Sequence, residues 1–279
     1  MKNSCARRRA ALLPLFLCLV TPLAAATSVL QMRTVQAWDK YVQLTEKRIE
    51  AELQEESRFL RMDAMKPADS AKVQNLLKSG QVYAERMKTL DGGGHVIEVP
   101  DALIHHWYGA IFIPRIKVEP LVRWIQDYDQ QSKYFKEVEK SKLISRNGDT
   151  FRVYLRLTRT KVVTVHYNTE HTATYRDNGP GKASSRSLST KIAELDDVGT
   201  PSEKELAVGN DSGYMWRLNS YWRFREQDGG VVVECESVSL SRGIPYGLGW
   251  LISDYLETIP RESLESALTS IRDGVKTVR

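Results

Sequence analysis

Residues 213–242 read GYMWRLNSYWRFREQDGGVVVECESVSLSR, and this stretch decides the fold. Its first half alternates strictly. Tyr214, Trp216, Leu218, Ser220, Trp222 and Phe224 fall on one side, with Met215, Arg217, Asn219, Tyr221, Arg223 and Arg225 on the other. A period of two marks a β-strand. Asp228-Gly229-Gly230 turns the chain into a second strand over 231–242, where Val231, Val233 and Cys235 alternate with Val232, Glu234 and Glu236. Setting apolar against apolar in this hairpin brings Arg223, Tyr221 and Asn219 beside Glu234 and Glu236. The polar face then has two placements: a solvated ladder of cross-strand ion pairs, or the lining of a cavity, where Tyr221 and Asn219 would complete the hydrogen bonding of a buried pair.

Upstream lie more strands with turn signals between them. The segments are 138–145, closed by the hairpin signal Asn147-Gly148, then 150–159, 162–175 and 184–196. Ahead of these come an aromatic, β-branched strand at 102–113 stopped by Pro114, a helix at 119–131 and a short helix at 132–137. Downstream, Gly243, Pro245, Gly247 and Gly249 interrupt the start of a long helix. Pro260 restarts it, and Leu264, Leu268, Ile271 and Val275 share one face. A curved antiparallel sheet cannot bury its concave face alone, so a long amphipathic helix must close it. The gap between them is a natural ligand cavity. The fold class is α+β.

The N-terminal third has a different texture. Helical spacing covers 33–62 and 69–86, with Pro67 between and Asp91-Gly92-Gly93-Gly94 as a breaker. Before it, Lys2, Arg7, Arg8 and Arg9 precede an apolar run from Ala10 to Leu23 and the small residues Ala24-Ala25-Ala26, the pattern of a secretory signal cut after Ala26. The expected division is a signal peptide at 1–26, a helical extension at 27–94 and a main domain at 95–279, in a periplasmic or secreted protein. The whole chain has 40 basic and 35 acidic residues; without the signal 36 basic residues remain, a balance that gives no basic footprint for nucleic acid. Cys5 and Cys18 leave with the signal, and Cys235, in an apolar strand, reads as a small core residue.

The order of elements resembles the helix-grip fold of the START-like or SRPBCC superfamily. The residues that carry the resemblance are Ile125-Gln126-Asp127-Tyr128-Asp129, Asn147-Gly148-Asp149, the run from Trp216 to Phe224 with Glu234-Cys235-Glu236-Ser237, Leu240-Ser241-Arg242-Gly243-Ile244-Pro245, and Ile259-Pro260-Arg261-Glu262-Ser263-Leu264. His105-His106-Trp107 with Gly109 and Pro114 is similar to the first strand of an exported bacterial branch of unknown function. The resemblance spans about residues 100–277 and implies a fold rather than an activity, because the superfamily holds carriers, cyclases and modules without a known ligand.

On this basis the expected function is an exported, non-catalytic binder or carrier of an apolar ligand such as a lipid, quinone or polyketide, without a cofactor or metal. The candidate lining is His106, Tyr154, Arg156, Trp216, Tyr221, Trp222, Arg223, Glu234 and Trp250. Partners would be an apolar small molecule or lipid, with transient membrane contact and no nucleic acid; the sequence names no protein partner. Two alternatives stand beside it. A cyclase- or isomerase-type enzyme would draw acid and base groups from His105, His106, Tyr154, Arg156, Arg217, Tyr221, Arg223 and Glu234 converging on one cavity. An envelope interaction module would dock a partner on the helices at 33–86. The histidines do not form a metal motif: His105 and His106 are adjacent in a strand and point to opposite faces, as do His166 and His171. Ser237, Ser239 and Ser241 share one side of their strand and line its packing surface. Gly243–Gly249 reads as a break in the closing helix that could hinge a portal.

Overall fold

A computed structural model describes residues 30–161, 163–243 and 249–276, the stretch 249–257 by its backbone alone. The expected signal segment at 1–26, residues 244–248 of the expected hinge and the Trp250 side chain lie outside the described residues.

Among the described residues, eight of the nine strands of one antiparallel sheet lie on a single path. They are β1 (Tyr83–Arg86), β2 (Ala102–Pro114), β3 (Val138–Asn147), β4 (Thr150–Thr160), β5 (Thr164–Asp177), β6 (Lys182–Asp196), β8 (Arg217–Gln227) and β9 (Gly230–Arg242). Their spatial order is β1-β2-β9-β8-β6-β5-β4-β3, and the two-residue β7 (Lys204–Glu205) pairs with the end of β6. The long helix α4 (Gly249–Val275) crosses one face, packing Leu264, Leu268 and Ile271 on Ile111, Val233, Cys235 and Phe224. Gly109 makes the approach possible: a Cβ there would sit 2.8 Å from a Leu268 methyl. The short α3 (Val118–Ile125) and Tyr128 extend this cover over Phe151 and Val153 of β4. This is the helix-grip arrangement that the sequence implies. Cys235 is buried beneath α4.

The opposite face of the sheet is covered too. Helix α1 (Met32–Leu53) lays Thr34, Trp38, Tyr41, Thr45, Ile49 and Glu52 against it. These six recur at helical spacing and give α1 one continuous buried stripe. The periodic pattern predicts a helix to residue 62, but α1 stops at Leu53, and 3₁₀ turns at Glu56–Arg58 and Arg61–Ala64 follow. The reason is polar: the Arg61 and Met62 N–H groups donate to Glu234, and the Phe59 carbonyl accepts from Arg223. A continuing helix would keep these backbone groups for itself.

Helix α2 (Pro67–Lys78) is likewise shorter than the expected 69–86. Gly80, at φ +78°, takes the left-handed conformation that ends it. Residues 83–86 then leave the helical path and pair with β2, Tyr83 opposite Ala110 and Arg86 opposite Trp107, which covers an otherwise open sheet edge. The helix expected at 119–131 is divided in the same way, into α3 and a 3₁₀ turn at Tyr128–Lys133, and the expected short helix at 132–137 does not form.

Candidate functional site

The β8–β9 register is the one predicted. Arg223 faces Glu234, Tyr221 faces Glu236, and Trp222 faces Cys235. The polar side of this hairpin takes neither expected placement. It is not solvated, and it does not line the space under α4; it is buried on the outer face, beneath α1. Arg223, 2 % exposed, donates to Glu52 of α1 at 2.6 Å and to Glu236 at 3.2 Å. Arg48 of α1 reaches the same two carboxylates, at 3.0 Å and 2.5 Å. Burial alone would raise the Glu236 carboxyl, but the hydrogen bond from His106 and the Arg48 and Arg223 charges hold it well below the usual range. Glu234 accepts from Tyr108 at 2.5 Å as well as from the Arg61 and Met62 N–H groups; burial nonetheless pushes it up to about 7.

His106 Nε2 donates to the Glu236 carboxylate at 3.2 Å, and its Nδ1 lies 2.9 Å from the Tyr41 hydroxyl, which accepts from the Thr89 N–H. Every acid and base of this cluster is closed on another, in a packed interface rather than a cavity.

The inner face, toward α4, is built differently. Strand alternation and register place a row of small hydroxyl side chains across its middle: Ser237 and Ser239 on β9, Ser220 on β8, and Ser185, Ser187 and Ser189 on β6. Trp107 and Trp222 flank the row. All eight side chains are half-buried, whereas their outer-face neighbours Tyr108, Asn219, Tyr221, Arg223, Glu234, Glu236 and Val238 are buried. Serines leave open the volume that larger side chains would fill.

Buried polar groups close the two ends of the row. His105 meets Ser241 at 2.8 Å on the β2 side. On the β5 side, Thr169 Oγ1 donates to the Leu155 carbonyl, so His171 Nε2 donates to it, at 3.0 Å. Burial lowers the His171 imidazole to about 4 and keeps it neutral.

Of the predicted lining among the described residues, only Trp222 faces this row of serines. His106, Tyr221, Arg223 and Glu234 lie on the outer face, and Trp216 packs in the cluster of Trp38, Val238 and Leu240. Tyr154 and Arg156 project from β4 on the side away from Phe151 and Val153; Tyr154 donates to Asn168 at 2.7 Å and Arg156 pairs bidentately with Glu203 at 2.9 Å. The groove residues that sequence reasoning missed carry one signal: Ser185-x-Ser187-x-Ser189 repeats on β6 the alternation of Ser237, Ser239 and Ser241 on β9.

No protein-family model and no curated relative matches the sequence. Solved structures do match in part. A protein from Thermus thermophilus is 18% identical, with 63% of this chain and 98% of that one covered and a TM-score of 0.42. A STAR-related lipid transfer protein fragment from Xanthomonas axonopodis is 15% identical (67% and 98% covered, TM-score 0.40), and the Zhui aromatase/cyclase from a Streptomyces species is 11% identical (63% and 97% covered, TM-score 0.43). The chain's own strand order and closing helix make a helix-grip fold.

Proposed function

We propose that this protein binds an apolar molecule, without catalysis, in the groove between the inner sheet face and α4. The observation that carries the reading is the row of half-buried serines between Trp107 and Trp222. It lies in the middle of a sheet whose other face is packed tight. Small hydroxyls beside aromatic rings suit a largely apolar ligand with a few polar atoms. The segregation of Arg223, Glu234 and His106 to the outer face supports binding over acid–base catalysis, since of the eight acid–base candidates only His105 faces the groove. Lipid, quinone and polyketide ligands all fit this description.

Native mass spectrometry of the purified chain, with organic extraction of the same sample, tests the proposal. A bound species of a few hundred daltons that extraction removes is the expected result. A chain that is always empty and takes up no apolar compound would refute it.

We further propose that the protein is exported. The charged, apolar and small-residue zones of residues 1–26 support this, and α1 begins beyond the expected cut. The intact mass of the protein recovered from its native host should correspond to a chain beginning at Thr27; a retained Met1 in a cytoplasmic fraction would contradict it.

A further inference from the structure

We infer that the ligand of the inner groove carries no negative charge, an apolar molecule whose hydroxyl or carbonyl oxygen accepts a hydrogen bond from Tyr167. This rests on the groove being the binding site.

The first argument is the sorting of charge between the two faces. Arg48, Glu52, Arg223, Glu234 and Glu236 are all spent beneath α1. The groove itself is lined by serines, Thr169, His105, His171 and tryptophans. Glu194, opposite Tyr167 at the far end of β6, is already taken by the Ser212 N–H at 3.0 Å and the Ser212 hydroxyl at 2.7 Å. At the rim, Arg159 is closed by Glu137 and Glu262, and Lys161 by Glu262. A carboxylate or phosphate entering this groove would lose its hydration and meet no free cation among the described residues. That penalty is large. A neutral oxygen loses far less.

The second argument is an orphan donor. Tyr167 is 5 % exposed, and its hydroxyl has no hydrogen-bond partner among the described residues. It shares the inner side of β5 with Thr169 and His171. Leaving such a group unsatisfied is costly, and buried polar groups in native proteins are nearly always paired. Burial raises the Tyr167 phenol above its ordinary value, with Glu194 and Asp211 adding to the effect, so it stays a donor. The partner it lacks is an acceptor, as a ligand hydroxyl or carbonyl provides.

The test uses the full chain, freed of co-purified small molecules, and two matched pairs of probes at pH 8. One pair is cholesterol and cholesterol sulfate; the other is hexadecanol and palmitate. Affinity is read from tryptophan fluorescence. At least one neutral member should bind ten times more tightly, or better, than its charged partner. Tyr167→Phe should weaken that neutral probe about three- to tenfold, the worth of one neutral hydrogen bond, without lowering the melting temperature of the empty protein, because the hydroxyl supports nothing there. An anionic probe that binds as well as its neutral partner overturns the charge inference and leaves the groove reading standing. Unchanged affinity in Tyr167→Phe overturns the assignment of the anchor. Failure of all four probes removes the groove reading itself.

Discussion

Arg223 holds two carboxylates from opposite ends of the chain, Glu52 and Glu236, at a site sealed from water. Arg223→Ala would leave both short of a partner, and a loss of about 3–5 kcal/mol is expected on chemical denaturation. A loss below about 1 kcal/mol would mean that the cluster is hydrated. Glu234 adds a pH signature. An unfolded glutamate titrates near 4.3, whereas burial pushes this one up to about 7. Between those values the folded chain holds a proton that the unfolded chain has released. The contribution of this group is therefore full below about pH 4.3 and is lost as pH rises through 7. The melting temperature of the native chain minus that of Glu234→Gln should fall from pH 5 to pH 8; a flat or rising difference would contradict the assignment. The sequence places Arg223 beside Glu234 and Glu236, because strict alternation and a glycine turn fix the register. It does not show which side of the hairpin is inward. A two-residue period separates two faces, and only the tertiary contact with Glu52, 171 residues away, decides which face α1 covers.

At the scale of elements, α1 docks by charge as much as by apolar contact. Along its length Glu46 pairs with Arg186 and Glu50 with Arg176, and in the turns that follow Glu56 pairs with Lys182 and Asp63 with Arg225. Deleting residues 30–90 would expose the Arg223–Glu236 cluster, strip Tyr108 and Val232 of Phe59, Leu60 and Met62, and remove β1 from the sheet edge. The truncated chain is expected to lose its cooperative thermal transition. A truncation that still melts cooperatively would instead make the N-terminal segment a separable module. On the other face, Gly109→Val would drive side-chain atoms into Leu264 and Leu268, an overpacking expected to cost about 1–3 kcal/mol and measurable as a lowered denaturation midpoint. The strands of the sheet are legible from sequence to within a few residues, because turn residues mark their ends. Helix ends are less so: periodicity continues past Leu53 and Lys78, where the chain leaves the helix to satisfy Glu234 and to pair with β2.

As a whole, the molecule is a sheet with unlike faces, one closed by a charged helical segment and the other carrying a row of half-buried serines on the α4 side. The closing helix and the presence of a gap follow from the order of elements. The lining does not, because the residues with the most visible chemistry went to the packed face and inconspicuous serines went to the open one. The central claim is that the open face holds the ligand, and a groove-filling substitution tests it most directly. Ser237 stands between Trp107 and Ser220 in the register. Native mass spectra of the native chain and of Ser237→Phe, purified alike, should show the bound species in the first and its loss from the second, with the two melting temperatures close. If Ser237→Phe folds and carries the same species at the same occupancy, the ligand does not lie in this groove.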